Sequence, residues 1–377
     1  VLGWVRGGLR DFSISRAAVR WGIEVPQDPA QTVYVWFDAL TGYLSALLAE
    51  GEGLDALLQP PPPPPRPEDQ PGGGASGGGG LGFWGPSAAQ HIIGKDILRF
   101  HAVYWPAMLL SAGLPLPARV FGHGFLTKDG LKMGKSLGNT LDPEALVSAY
   151  GPDAVRFYFL KELQFGLDGD FALRRFIDKV NDDLANDLGN LLNRSLGLLK
   201  KKCAMQYPCD AADLLPAADD DALQVGQLVP RQVAACTAAY EALDFTAAGE
   251  AALTLTREGN RYFNLKQPWS LLKSEAPADR EEGARTLLLV LELVRITALL
   301  LAPITPRLAG KIYQQLGYTP EEFAALRWDR DTAFGGLTRD RPPQLPSPVF
   351  ARLEYPDDEA AAAEEAQKPE PADAARS

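Results

Sequence analysis

The sequence predicts an α/β domain followed by an all-α helical bundle, and three observations predict it. Up to about Leu160, short β-forming runs alternate with apolar-periodic helical stretches, the pattern of an α/β fold. After about Phe171 the apolar residues recur every three or four positions throughout, as bundle helices require. Between Gln59 and Gly80 a proline run followed by a glycine run cannot pack; it separates two segments that both read as core, so it is an insertion within the first domain. The expected organisation is 1–170 for the α/β part, 171–355 for the bundle, and 356–377 for a disordered tail rich in Ala, Glu and Pro.

Taken in order, Thr32–Phe37 is apolar and rich in valine and aromatics, as a buried strand would be. Gln90–Ile93 leads into Gly94-Lys95-Asp96 and an apolar-periodic helix, a strand–turn–helix unit. Val120–Thr127 alternates around His123, and Asp129-Gly130 is a tight-turn dipeptide. From Ile177, the residues Val180, Leu184, Leu188 and Leu191 form an apolar stripe, with Asp183, Asp187, Asn190 and Arg194 as a polar stripe beside it. Further helices are expected at 228–242, 246–264, 281–301 and 306–316. Thr286–Ile304 is almost wholly apolar and nearly long enough to span a bilayer, but Glu292 and Arg295 in its middle would be costly there. Three apart on a helix, the two can pair, so a buried bundle helix is expected and a membrane is not.

The net charge of −11 argues against a protein wrapped in nucleic acid over its whole surface, while leaving room for a local docking site. The stretch from Pro356 carries seven acids and two bases, close to half of that excess. Cys203, Cys209 and Cys236 have no Cys-x-x-Cys spacing and no neighbouring histidine, so neither a disulfide framework nor a zinc knuckle is expected. The opening Val1-Leu2-Gly3-Trp4 has neither an initiator methionine nor a leader pattern, and a fragment is expected.

The sharpest local feature is Lys132-Met133-Gly134-Lys135-Ser136-Leu137-Gly138-Asn139. Two lysines three apart on a glycine-containing loop can reach one polyanion together, and glycine lets such a loop close. Taken alone, the lysines fit a solvated surface loop equally well.

The loop resembles the KMSKS signature of class I aminoacyl-tRNA synthetases, with Gly134 in place of the usual serine. Upstream stand His91-Ile92-Ile93-Gly94-Lys95-Asp96-Ile97-Leu98-Arg99-Phe100-His101 with Tyr104-Trp105-Pro106-Ala107, and before them Tyr34-Val35-Trp36-Phe37-Asp38-Ala39-Leu40-Thr41-Gly42-Tyr43. In this order the three blocks resemble the methionyl-tRNA synthetase family, from about Gly8 to Tyr313. His91-Ile92-Ile93-Gly94 mimics the class I HIGH motif, but Lys95 stands where a second histidine is required, and the lysine loop follows too closely. The resemblance implies that the true HIGH motif lies upstream of this chain.

The implied fold is the C-terminal part of a class I Rossmann-type catalytic domain followed by an anticodon-binding bundle. The implied methionine pocket is Trp36, Ala39, Tyr43, Ile97, His101 and Trp105; an unbranched thioether suits aromatic walls. Ile97, His101 and Trp105 repeat every fourth residue, so on one helix they face one way. Without the flanking motifs, that stripe would read as core packing. Leu40 departs from the proline of some relatives. The implied ATP contacts are Arg16, Gly94, Asp96, Lys132 and Lys135; a glycine admits close backbone approach, and a carboxylate accepts from ribose hydroxyls, although Asp96 equally fits a helix N-cap. Lys135 first, Lys132 second, and Ser136 are the implied catalytic residues, and no resident metal is implied. Asn190, Arg194 and Trp269 match the family's anticodon readers, with a solvated face and a buried anchor as the plain alternatives.

The expected activity is methionine–tRNA ligation using methionine, ATP as its Mg²⁺ complex, and tRNA(Met). The alternatives are a class I synthetase for leucine, valine, isoleucine or cysteine, and a non-catalytic tRNA-binding scaffold. The isolated chain, lacking its N-terminal half as a partner, is expected to be inactive. The Pro and Gly runs with bacterial-type motifs suggest a chloroplast or mitochondrial location, with the cytoplasm as the alternative.

Overall fold

A computed structural model describes residues 1–48, 89–214 and 220–356, apart from the side chains of Lys135, Asp220, Asp221 and Leu223. The insertion at 59–80 and the tail beyond Pro356 lie outside the described residues. The chain divides into two compact units, Val1–Phe125 and Leu126–Ser377.

In the first unit, β1 (Ser15–Arg16), β2 (Glu24–Val25) and β3 (Asp28–Val33) form an antiparallel sheet in the order β1-β3-β2. The strand expected over Thr32–Phe37 stops at Val33; Tyr34 is an extended N-cap, and Val35–Ser45 is a helix. The β-forming residues were overridden because Leu40 and Leu44, four apart, both enter a core with Trp105, Leu109 and Leu114. β4 (Gln90–Gly94) pairs in parallel with β5 (Arg119–His123), opposing Ile92 to Phe121. Their crossover contains a 3-10 turn at Lys95–Ile97, a π-helical turn at Phe100–Tyr104 and the helix Trp105–Ser111. The strand–turn–helix expectation therefore holds.

The second unit opens with the hairpin β6 (Leu126–Lys128) and β7 (Leu131–Lys132), and β8 (Gly169–Phe171) pairs in parallel on the far side of β6. Asp129 and Gly130 both have positive φ, 53° and 76°, the conformation a two-residue hairpin turn requires. The Asp170 carboxylate holds the turn, accepting from Thr127 Oγ1 at 2.6 Å and from the Gly130 N–H at 2.8 Å. The single alternating run expected over Val120–Thr127 is split between β5 and β6.

Helices follow at Pro143–Tyr150, Pro152–Phe157, Leu173–Val180, Asn190–Lys202, Asp220–Ala242, Phe245–Lys266, Pro277–Leu301 and Pro306–Gln315, with a π-helical stretch over Asn181–Gly189. Val180, Leu184, Leu188 and Leu191 are fully buried, as their spacing predicts. Asp183 departs from the expected polar face: it is buried, 3.1 Å from Lys161 Nζ, because Lys161 crosses onto it from another segment. The helix Pro277–Leu301 is buried on all sides from Thr286 onward. Glu292 and Arg295 do pair, at 2.6 Å, but inside the core and not at its surface. Glu292 also accepts from the N–H groups of Gly335 and Gly336 at 2.8 Å each, and Arg295 donates to the carbonyls of Asp331 and Ala333 at 2.6 Å each. Every charged atom of the pair is thereby provided for, which is what allows it in the interior. No helix among the described residues is long and apolar enough to cross a membrane.

Candidate functional site

In the first unit the helix Val35–Ser45 and the crossover after β4 bring their aromatic rings together. The Trp36 ring stacks on Phe100 at 4.4 Å and meets His101 edge-on at 6.0 Å. The Tyr43 hydroxyl bonds His101 Nε2 at 2.9 Å, while His101 Nδ1 lies 3.1 Å from the Ile97 carbonyl. A carbonyl only accepts, so Nδ1 carries a proton and donates to Ile97. Below them the Trp105 indole N–H donates to His91 Nε2 at 3.1 Å. Burial, then the nearby His101, lowers the His91 pKa and keeps that ring a neutral acceptor. Burial raises the Tyr43 pKa, so its hydroxyl keeps its proton.

Four of the six proposed pocket residues, Trp36, Tyr43, His101 and Trp105, therefore form one network. Ile97 joins through its backbone, and Ala39 is exposed on the adjoining helix. The single α-helix expected for Ile97, His101 and Trp105 is replaced by three successive helical types; the π turn is wider than an α turn and changes the angle between positions. Trp105 is 1 % exposed and floors the cluster from the core. His91 and Phe100 were not singled out from the sequence as partners in this cluster. The alternation of burial along β4 placed His91 inward, but only the crossover shows what it meets.

Arg16 Nη1 donates to the carbonyls of Ser13 and Ser15, with its guanidinium 3.7 Å over the Tyr34 ring. Gly94, not Asp96, is the N-cap of the 3-10 turn, and Asp96 is exposed in its first turn. A Cβ at Gly94 would lie 2.6 Å from Asp96 Oδ1, so a larger residue there would turn the exposed Asp96 carboxylate aside.

In the second unit the lysine loop is tied together by Asn139. Its Oδ1 accepts from the Gly134 N–H at 2.9 Å and its Nδ2 donates to the Lys132 carbonyl at 3.1 Å. Lys132 and Ser136 are exposed, and Lys135–Leu137 forms a short 3-10 turn. The sequence places Asn139 in the motif but does not show this clamp, because a side chain reaching a loop seven residues back leaves no periodic signature. Among the described residues no group of three or more His, Cys, Asp or Glu side chains could hold a metal ion.

Farther along the same unit, Arg194 lies 4.8 Å over the Phe263 ring, and the Trp269 ring lies 5.4 Å from Phe263. Arg194 Nη2 donates to Asn260 Oδ1 at 2.8 Å, and its buried Nε has no hydrogen-bond partner. Burial lowers the Arg194 pKa. Asn190 is exposed one turn earlier on the Arg194 helix, and Trp269 is half-buried. Asn260 and Phe263, three apart on the helix Phe245–Lys266, join Arg194 to Trp269.

Comparison with known proteins gives the family. Residues 1–55 and 81–196 match the family "tRNA synthetases class I (M)", and residues 216–367 match "Anticodon binding domain of methionyl tRNA ligase". The chain belongs to the methionyl-tRNA synthetase family. It is 48 % identical to the chloroplastic/mitochondrial methionine–tRNA ligase of Arabidopsis thaliana, with 94 % of this chain and 53 % of the relative covered. It is 49 % identical to the methionine–tRNA ligase of Synechocystis, with 95 % and 63 % covered. The Mycobacterium tuberculosis methionyl-tRNA synthetase in complex with methionyl-adenylate superposes with a TM-score of 0.75 at 38 % identity, over 93 % of this chain and 62 % of that one. The chain thus spans between half and two thirds of the length of these relatives. The fold expected from the sequence, part of a class I synthetase catalytic domain followed by a helical anticodon-binding domain, is the fold of this synthetase family.

Proposed function

We propose that the full protein containing this chain is a methionine–tRNA ligase, activating methionine with ATP and transferring it to tRNA(Met). The observation that carries this reading is the Trp36–Tyr43–His101 cluster in a chain of this family. A linear thioether gains contact with flat rings on several sides, and sulfur interacts well with them. His101, its nitrogens occupied by Ile97 and Tyr43, presents a ring face, which suits an uncharged side chain.

The methionine carboxylate attacks the ATP α-phosphorus in line, and pyrophosphate leaves as its Mg²⁺ complex. A hydroxyl of the terminal tRNA adenosine then attacks the carbonyl carbon and AMP leaves. Lys135 and Lys132 neutralise the departing pyrophosphate, Ser136 adjoins them, and Arg16, Gly94 and Asp96 contact ATP. Asn190, Arg194 and Trp269 read the anticodon; Trp269 stacks on an unpaired base, and Asn190 and Arg194 present hydrogen-bonding groups to its edge. The functional boundary between catalysis and anticodon reading falls near 170. Large exposed apolar side chains of the first unit, Leu2, Trp21 and Val35 among them, fit a surface covered by the remainder of the family's length. An organellar location, chloroplast or mitochondrion, is supported by the Arabidopsis relative, while the cyanobacterial one is equally similar.

In the full-length protein, Lys135→Ala should cut methionine-dependent ATP–pyrophosphate exchange severely while methionine binding stays nearly intact. Trp269→Ala should weaken tRNA charging and spare exchange. Normal exchange in the first variant, or normal charging in the second, refutes the corresponding role; the 377-residue polypeptide alone should give no exchange.

A further inference from the structure

A second cationic site lies in the second unit, away from Arg194 and Trp269. Its cavity, about 570 Å³, is walled by the first turn of the helix Pro306–Gln315, the turn at Gly151 and the segment 350–354. Arg307 and Lys311, four apart on one helix face, and Arg352 on the segment opposite all line it, with Glu354 as an acid near Arg352. All three are exposed. Unlike Lys161, Lys179, Arg257, Arg295 and Arg341 of the same unit, none makes a side-chain ion pair among the described residues.

The cavity wall also holds Asp153, which is 7 % exposed. Its Oδ2 accepts the Leu308 N–H at 2.6 Å, whereas its Oδ1 is buried without a hydrogen-bond partner. Cations for a phosphate thus stand beside an acceptor lacking a donor. A ribonucleotide backbone carries both complements, a phosphate and a neighbouring 2′-hydroxyl.

The position is set by the helix Phe245–Lys266. Arg156, on the Asp153 helix, donates to the Ile304 carbonyl at 2.9 Å, and Ile304 lies 4.0 Å from where a side chain at Gly249 would start. Arg194 instead sits over Phe263 of that helix. Fourteen residues of helix separate the two levels by about 21 Å.

We propose that Arg307, Lys311 and Arg352 grip the sugar–phosphate backbone of the bound tRNA at this cavity, a contact that carries no base information and lies beyond the anticodon readers. The inference rests on the tRNA-binding reading given above. Its test is equilibrium binding of a tRNA(Met) transcript to the full-length protein at increasing KCl, comparing wild type, Trp269→Ala and the triple variant Arg307→Gln/Lys311→Gln/Arg352→Gln. Each lost phosphate contact removes roughly 0.7 to 0.9 from the slope of log K against log salt, so the triple variant should lose roughly 2.1 to 2.7. The ratio of affinities for the native and an anticodon-altered transcript should not change, because phosphate contacts do not read sequence. A triple variant with the wild-type slope, alongside a weakened Trp269→Ala, overturns this site and leaves the tRNA reading standing. Wild-type protein that fails to bind the transcript overturns both.

Discussion

Gly134 stands where the signature loop of class I synthetases carries serine, and its surroundings say what the difference does. Its φ is not positive, and the nearest atom to an added Cβ is 3.8 Å away, on Leu137. Serine therefore fits without strain. Gly134→Ser should keep methionine-dependent exchange in the full protein and leave stability unchanged or raised by about 0.4–1 kcal/mol, through a less free unfolded chain. Urea unfolding with a parallel exchange assay reads both, and a marked fall in stability would refute it. Gly336 is the opposite case. A Cβ there would lie 2.5 Å from Arg295 Cζ, and that guanidinium is fixed by Glu292 and two carbonyls. Gly336→Ala should cost about 1–3 kcal/mol in the same urea measurement. Neither glycine could be distinguished from the other in the sequence, since the demand on each comes from neighbours far along the chain or from local φ.

At the scale of elements, the short helix Pro152–Phe157 joins the segment after the lysine loop to the bundle. Asp153 and Arg156 lie three apart on it and reach opposite helix ends. Arg156 donates to the carbonyls of Pro303 and Ile304 at 2.8 and 2.9 Å, just past the helix Pro277–Leu301, and Asp153 accepts from Leu308 in the first turn of Pro306–Gln315. A cation thus meets the negative end of one helix and an acid the positive end of the next. Arg156→Ala should destabilise the bundle by about 1–3 kcal/mol, the worth of charge-assisted hydrogen bonds, and speed amide exchange in the first turn of Pro306–Gln315. Unaltered exchange there would show that the clamp does not hold the turn. The hairpin around Asp129-Gly130 was legible because its dipeptide is local chemistry. The Asp153–Arg156 clamp was not, because its partners lie about 150 residues away.

For the whole molecule, the buried Glu292–Arg295 pair links stability to pH. Burial alone would raise the Glu292 carboxyl; the Arg295 charge and hydrogen bonds, with the Gly335 and Gly336 N–H groups, outweigh it and hold the carboxyl below its ordinary 4.5. The unfolded chain then binds this proton first, so the stabilisation is complete above that ordinary value and is lost as pH falls below it. Denaturant midpoints recorded from neutral to acid pH should fall less steeply in Glu292→Gln than in wild type, and identical slopes would exclude the linkage. By itself the sequence determined the α/β-then-helical order, the bundle stripes, the hairpin turn and the three motif blocks, since periodicity, turn chemistry and residue spacing are local properties of a chain. Only the tertiary structure decided that Val35–Phe37 is helical, that Glu292 and Arg295 are interior, that the hydrogen-bonded pairs Tyr43–His101 and Trp105–His91 meet in one ring cluster, and that Asn260 and Phe263 connect Arg194 to Trp269. Each of these depends on burial and on partners from other segments, and those free energies exist only once the chain has closed on itself.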